Sequence, residues 1–139
     1  MLIQYGVIPV RPTTDGKVEV LLITSRDTRR WVVPRGNPIA GKSAIASAAQ
    51  EAFEEAGISG LVEPEPLGRY RYDKRRRDGT SVEAEVLLFL MGVQKLAKHW
   101  PEMGQRERRW FEVEEAAGAV HESDLAELIR RVGGTPSQK

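Results

Sequence analysis

The sequence predicts a mixed β-sheet covered by a few helices, an α/β or α+β sandwich in one domain. Two pairs of apolar segments are joined by Asp-Gly turns, which are typical of β-hairpins. A segment with helical start and stop residues lies between them. A chain of 139 residues can form one domain that buries about two-thirds of its unfolded surface.

The first predicted hairpin opens the chain. Apolar and β-branched residues run from Tyr5 to Arg11 and from Val18 to Thr24, with Asp15-Gly16 in the turn between them. Trp31 to Pro34 is expected to be a short strand, because the closing proline lacks the amide donor that would continue a β-ladder. The segment Gly36 to Gly41 then predicts a loop.

One helix is bounded by strong local signals. Ser43 is a favoured N-cap residue and Gly57 a favoured residue just beyond a helix end, so a helix is expected from about Ala44 to Ala56. At about 100° per residue, one face of this helix is expected to form an apolar stripe, and the other to carry three glutamates. The stripe comprises Ile45, Ala49, Ala52, Phe53 and Ala56, and the glutamates are Glu51, Glu54 and Glu55.

The second half of the chain predicts another hairpin, a strand and two helices. Val86 to Met91 is apolar at every position, which suits a central strand covered on both faces. The tail, residues 135–139, is expected to be disordered. The predicted elements are strands Leu67–Lys74, Ser81–Val93 and Arg109–Val113, a turn at Arg77–Thr80, and helices Glu114–Val120 and Ser123–Val132, the last ended by Gly133-Gly134.

Composition excludes several classes of protein. The chain has no cysteine, which rules out disulfide frameworks and thiolate metal sites. No apolar run approaches the roughly 18 residues of a membrane span, and the start lacks a signal-peptide pattern, so no membrane partner and a cytoplasmic location are expected. The net charge of +1 means that any electrostatic attraction must be local. The oligomeric state stays open, with a homodimer as one option.

The glutamate cluster of the predicted helix indicates possible metal chemistry. Residues three and four apart are neighbours on a helix, so Glu51, Glu54 and Glu55 share one patch and repel one another. A solvated acidic face is the commoner explanation of such a cluster. A divalent cation would reverse the repulsion, since Mg²⁺ prefers carboxylate oxygens together with substrate phosphates.

The stretch from Gly36 to Ile58 resembles the Nudix box, G-x5-E-x7-R-E-U-x-E-E-x-G-U, in which U is aliphatic. Gly36 matches the opening glycine, Glu51 follows the arginine position, and Glu54-Glu55-Ala56-Gly57-Ile58 matches the closing residues. The lead-in W-V-V-P-R-G is similar to the W-x-x-P-K-G of the diphosphoinositol-polyphosphate and diadenosine-polyphosphate branch. Lys42 and Gln50 depart from the pattern, where a glutamate and an arginine belong.

This resemblance implies a Nudix α/β/α sandwich with a mixed sheet, and hydrolysis of a pyrophosphate linkage with Mg²⁺ or Mn²⁺ as cofactor. The implied substrate is a nucleoside diphosphate derivative, such as a dinucleoside polyphosphate, or a diphosphoinositol polyphosphate. Glu51, Glu55 and the Gly36 carbonyl are the implied metal ligands, and Glu54 is the implied general base, although Glu54 and Glu55 could exchange roles.

The joint loss of charge at Lys42 and Gln50 leaves two alternatives. The protein is either an enzyme with weaker metal binding or a catalytically weak module that binds a nucleotide or phosphate. The retained glutamates, which repel one another without a cation, favour the enzyme.

Arginines are the candidates for binding substrate phosphates. Arg35 is the strongest, because it adjoins Gly36 beside the expected metal. Arg26 and Arg30 flank the same segment, and Arg75 and Arg76 lie on the second hairpin, where a solvated tip is the slightly favoured alternative. The expected partner is therefore a small phosphorylated compound.

Three further expectations concern other residue types. An RNA-binding or RNA-cap-processing protein is an alternative function, but with 6% aromatic residues, and none in the basic run, a nucleic-acid partner is not expected. Trp31, Tyr70 and Tyr72 are expected in the core. Glu102 or Glu107 could add a carboxylate from the loop before Trp110, or lie in an ordinary charged loop.

Overall fold

The structure, a computed structural model, describes residues 1–134, so the expectation of a disordered tail at residues 135–139 lies outside the described residues. Within this part of the chain, no helix has the length and apolarity needed to cross a membrane. The elements are strands β1 (Leu2–Pro12), β2 (Val18–Thr24), β3 (Trp31–Val32) and β4 (Arg35–Gly36), helix α1 (Ala44–Ala56), strands β5 (Ile58–Val62), β6 (Gly68–Arg75), β7 (Ser81–Leu96) and β8 (Arg108–Glu112), and helices α2 (Val113–Ala119) and α3 (Ser123–Gly134).

The strands form one mixed sheet with helices on both faces. Its main order is β3-β2-β1-β7-β5, while β4 pairs with β1, β6 with β7 and β8 with β2. Strands β1 and β7 run parallel, and the other pairs are antiparallel. Val7 and Ile8, which are consecutive in β1, face opposite cores, because side chains alternate along a strand. The resulting α/β/α sandwich confirms the predicted fold class.

Each core belongs to one helical layer. Helix α1 contributes Ala48, Ala52 and Ala56 to the core that contains Val7. Helices α2 and α3 cover the other face, where Leu125 and Ile129 pack in the same cluster as Ile8. The apolar run Val86–Met91 lies in β7, which pairs with β1, β5 and β6, as expected for a central strand.

The predicted bounds of α1 are confirmed by its caps. The Ser43 Oγ accepts a hydrogen bond from the Ala46 N–H at 3.1 Å. Gly57 adopts the left-handed conformation with φ 68° and ψ 33°, and its N–H donates to the Phe53 carbonyl at 2.9 Å. Both hairpins also form with the expected turns.

The apolar stripe predicted for α1 is wrong in part. Ala52 and Ala56 are buried, but Phe53 is 41% exposed. The helix presents small side chains to the sheet, and Glu55 is buried beside them because it has hydrogen-bonding partners there. The buried residues of α1 are Ser47, Ala48, Ala52, Glu55 and Ala56.

Two further predictions are corrected, and one strand was missed. The expected strand Trp31–Pro34 is shorter, because only Trp31–Val32 pairs with β2, and Arg35–Gly36, which was not expected to be a strand, pairs with β1. Strand β5 was not predicted, and it pairs with the far end of β7. Helix α3 continues through Gly133-Gly134 to its end, because packing of its apolar face outweighs the low helix propensity of glycine.

Candidate active site

The pairing of β4 with β1 places Gly36 directly over α1. Tyr5 lies opposite Gly36 in this pairing, and Gly6 lies opposite Arg35. A Cβ atom on Gly36 would be 2.3 Å from Glu51 Cδ and 2.6 Å from Glu51 Oε1. The glycine is therefore required by the close approach of a carboxylate rather than by a turn.

Glu55 lies one helical turn after Glu51 and is only 9% exposed. Its Oε1 accepts a hydrogen bond from the Arg35 backbone N–H at 3.3 Å, and its Oε2 is 3.5 Å from Arg106 Nη2. Burial raises the pKa of Glu55 to about 7, although Arg106 and Arg35 oppose the increase. Burial, followed by the charges of Glu54 and Glu102, also raises the pKa of Glu51. The positive charges of Arg35 and Arg106 therefore do not fully offset the burial and mutual repulsion of these carboxylates.

Glu54 has a different environment, half-buried at the rim of the cluster. Its Oε2 accepts a hydrogen bond from Gln50 Nε2 at 2.8 Å, so the residue that replaces the box arginine still donates to a carboxylate. The Glu54 carbonyl accepts from the Glu102 N–H at 3.0 Å, which ties the 97–107 loop to the helix. Lys42, the other departure, is exposed.

Sequence reasoning missed Arg106. Its side chain is 10% exposed, and its Nε is 2.8 Å from Glu102 Oε1. No local spacing connects position 106 to α1; the available signal was the absence of a box arginine, which left the acidic cluster without a cation. Of the two loop glutamates considered, Glu102 joins the cluster, whereas Glu107 is exposed and lies 3.6 Å from Arg29.

The residues present fit a hard divalent cation, although not as a complete cage. Among residues 1–134, no group of three or more His, Cys, Asp or Glu side chains is arranged to hold a metal ion. Instead, Glu54 accepts a hydrogen bond from Gln50, and Glu55 pairs with Arg106. Mg²⁺ is usually held by one or two carboxylates, waters and substrate phosphates, so Glu51 and Glu55, with the Gly36 backbone packed on Glu51, suit it.

A cleft of about 840 Å³ adjoins this cluster and shares Arg35 with it. Three of the five predicted phosphate-binding arginines line the cleft: Arg30, Arg35 and Arg75. The other two do not. Arg26 donates to Gln105 Oε1 at 3.1 Å, and Arg76 lies in the exposed hairpin turn.

Arg35 is held rigidly in the wall of the cleft. Its guanidinium lies 4.0 Å over the Tyr72 ring, and its Nη1 donates to the Val33 carbonyl at 3.4 Å. Its Nε is buried without a hydrogen-bond partner. Tyr70 is buried in the core, as expected, whereas Trp31 and Tyr72 are only partly buried and pack against the core. Trp31 lies edge-to-face on Phe111, and Tyr72 lines the cleft under Arg35.

Several known proteins are similar to this chain. The chain is 34% identical over 137 residues to "Nudix hydrolase 13, mitochondrial" of Arabidopsis thaliana, covering 90% of this chain and 66% of that protein. It is 31% identical over 126 residues to "Diphosphoinositol polyphosphate phosphohydrolase 3-beta" of Bos taurus, covering 86% of this chain and 73% of that protein.

A solved structure of a C. elegans Ap4A hydrolase shares the fold with a TM-score of 0.66 and 20% identity, covering 94% of this chain and 95% of that one. The chain spans between 46% and 66% of the length of three Arabidopsis relatives. The NUDIX domain matches residues 4–132. The chain belongs to the NUDIX domain family.

Proposed function

We propose that the chain is a Mg²⁺-dependent hydrolase that cleaves a pyrophosphate linkage in a small, highly phosphorylated compound. Dinucleoside polyphosphates are the first candidates and diphosphoinositol polyphosphates the second. The observation that carries the proposal is the packing of Gly36 on Glu51, beside buried Glu55 and near a cleft whose lining includes four arginines, a lysine and five carboxylates.

The metal would be held by Glu51, Glu55 and the Gly36 carbonyl, with Mn²⁺ as the alternative ion. When bound, it would neutralise charge on the pyrophosphate and lower the pKa of a water molecule. Glu55 suits the role of ligand because the Arg35 N–H and Arg106 fix its orientation toward Glu51.

Glu54 is the better candidate for the general base. Both oxygens of Glu55 face protein donors, whereas Glu54 is hydrogen-bonded through Oε2 by the neutral amide of Gln50. A half-buried carboxylate at the rim of the cluster could accept the proton of a water bound beside the metal. Gln50 would keep that carboxylate in place without withdrawing its charge.

The cleft supports a substrate with several phosphates. Arg30, Arg35 and Arg75 would contact phosphate oxygens, and Arg35 is preorganised by its stacking on Tyr72. The names of the Bos taurus relative and of the C. elegans hydrolase point to the same two substrate classes.

A module that binds such a compound without cleaving it is the second candidate function. The specific observation in its favour is the pairing of Glu55 with Arg106, which occupies a carboxylate that would otherwise be available to a metal. The retained Gln50–Glu54 hydrogen bond argues for the enzyme.

The test is a screen of the full chain with Mg²⁺ against nucleoside polyphosphates, dinucleoside polyphosphates and diphosphoinositols, with products resolved by phosphate count. Reactions with EDTA and with Glu54→Gln are the controls. We expect turnover of at least one compound that both controls lose. Binding without turnover would establish the second candidate, and neither binding nor turnover would refute both.

A further inference from the structure

Arg106 lies where the loop that precedes β8 meets the carboxylates of α1. Its Nε is 2.8 Å from Glu102 Oε1, and its Nη2 is 3.5 Å from Glu55 Oε2. Its Nη1 donates to the Thr24 carbonyl at 3.2 Å. The next residue, Glu107, is tied to Thr24 at the end of β2: its carbonyl accepts from the Thr24 N–H at 3.1 Å, and its N–H donates to Thr24 Oγ1 at 2.9 Å. Since these contacts anchor the arginine to the sheet, its charge is part of the site independently of any bound ion.

The cluster has a simple charge balance. It combines the carboxylates of Glu51, Glu54, Glu55 and Glu102 with two guanidinium groups: that of Arg106, which contacts Glu55 and Glu102, and that of Arg35, whose charge acts on Glu55 without direct contact. When all are ionised, the net charge is −2, which one divalent cation would cancel. Without Arg106 the same cluster would carry −3 and would attract a cation more strongly.

We propose that Arg106 is a built-in counter-ion of the candidate metal site, which weakens divalent-cation binding in the absence of substrate. The inference rests on the proposed function, because it concerns the same carboxylates. It also accounts for the neutral residue at position 50: the positive charge that the box lacks on α1 comes from the loop instead. Substrate phosphates would offset the repulsion between Arg106 and the metal, so metal and substrate would bind cooperatively.

The alternative role for Arg106 is purely geometric, orienting Glu55 by its contact with Oε2. The two roles predict opposite effects on metal affinity. Loss of a counter-ion strengthens cation binding, whereas loss of an orienting contact weakens it. For a unit charge within several ångströms of a divalent ion, the electrostatic effect at a partly buried site is about tenfold or more in affinity.

The experiment is a titration of the full chain with Mn²⁺ alone, without substrate, with free Mn²⁺ followed by electron paramagnetic resonance. Arg106→Gln is expected to bind Mn²⁺ about tenfold more tightly than wild type. Arg106→Lys keeps the charge and is expected to stay close to wild type.

Arg108→Gln is the matched control. Arg108 belongs to the same segment. It donates to the Ala56 carbonyl of α1 at 2.8 Å and to the Ala97 carbonyl at 2.9 Å, so its partners are backbone carbonyls rather than carboxylates. Its loss should loosen the loop without changing Mn²⁺ affinity. Circular dichroism checks that each variant folds, and Arg106→Met, which keeps the aliphatic stem, replaces Arg106→Gln if the latter does not.

Unchanged or weaker binding by the neutral variants would overturn the inference while leaving the proposed function intact. Tighter binding by Arg106→Lys would also overturn it, because the charge would then be irrelevant. If neither wild type nor Arg106→Gln binds Mn²⁺, the proposed metal site is refuted, and the inference with it.

Discussion

Gly36 is packed so closely on Glu51 that a methyl group at this position would lie 2.3 Å from the Glu51 carboxyl carbon. The backbone of Gly36 itself is compatible with alanine, since the glycines with positive φ are elsewhere: Gly16, Gly41, Gly57, Gly68, Gly79 and Gly104. The clash is with the flexible end of a half-buried side chain. The demand for glycine therefore comes from the site and not from the fold.

Gly36→Ala should accordingly separate activity from stability. Displacement of Glu51 by about 1 Å is expected to lower kcat about a hundredfold. The free energy of unfolding should change by less than about 1 kcal/mol, because the Glu51 side chain can move aside. Enzyme kinetics and urea unfolding measure the two effects.

The control for this variant is Gly118→Ala in α2, where the added methyl group would have no neighbour within 4 Å. It should keep full activity and gain about 0.5–1 kcal/mol of stability. Full activity of Gly36→Ala would show that the position of Glu51 does not matter.

Gln50 is expected to contribute to activity through its hydrogen bond to Glu54. Gln50→Ala should lower kcat about threefold to tenfold with little change in KM, which is the usual range for one neutral hydrogen bond. Lys42→Ala should match wild type, because Lys42 is exposed. Equal losses in both variants would contradict the separate roles assigned to the two positions.

The parts of the fold that were predicted from sequence are those specified by local chemistry. Ser43 and Gly57 bound α1 through contacts within a few residues, and Asp-Gly turns mark both hairpins. Strand β5 was missed because Ile58–Val62 lacks a clear β pattern and gains its partner from the distant end of β7. Its formation depends on pairing that no local window contains.

The same distinction applies to the candidate site. The carboxylates of α1 could be named because helical spacing brings them together. The face of the helix was assigned wrongly at Phe53 and Glu55, since hydrophobicity alone did not reveal that Glu55 has donors on β4 and on the loop. Arg106 reaches the cluster from a segment more than 50 positions away, so only the tertiary structure could identify it.

The raised pKa of Glu55 predicts a specific dependence of stability on pH in metal-free protein. Its value in the folded state, about 7, exceeds the ordinary 4.5, so the unfolded chain releases this proton first. The stabilisation is complete below about pH 4.5 and is lost as pH rises through 7. The loss amounts to about 3 kcal/mol, and the raised pKa of Glu51 acts in the same direction.

The measurement is urea unfolding in EDTA across pH 4.5–8 for wild type and Glu55→Gln. As the pH rises, the unfolding free energy of wild type should fall by about 3 kcal/mol relative to that of Glu55→Gln. Parallel curves for the two proteins would show that Glu55 titrates normally.

Glu54→Gln tests the assignment of the general base. Loss of the proton acceptor should lower kcat about a hundredfold or more, while Mn²⁺ and substrate still bind, since the amide is the same size as the carboxylate. Glu55→Gln should instead weaken Mn²⁺ binding. If Glu54→Gln weakens metal binding and Glu55→Gln spares it, the two glutamates exchange roles, which the sequence left open.

Arg75 and Arg76 provide a test of substrate contact with a built-in control. The two are adjacent, exposed and equally charged, but Arg75 lines the cleft and Arg76 does not. Long-range attraction by the hairpin would affect both variants alike, whereas direct contact would affect Arg75 alone.

Arg75→Ala should raise KM about tenfold for a substrate with four or more phosphates, as expected for one charge-assisted hydrogen bond. The increase should shrink at high salt, where wild-type binding is itself screened. Arg76→Ala should leave KM near wild type. Equal increases in the two variants would assign the hairpin to steering rather than binding, and no increase in either would assign both arginines to solvent.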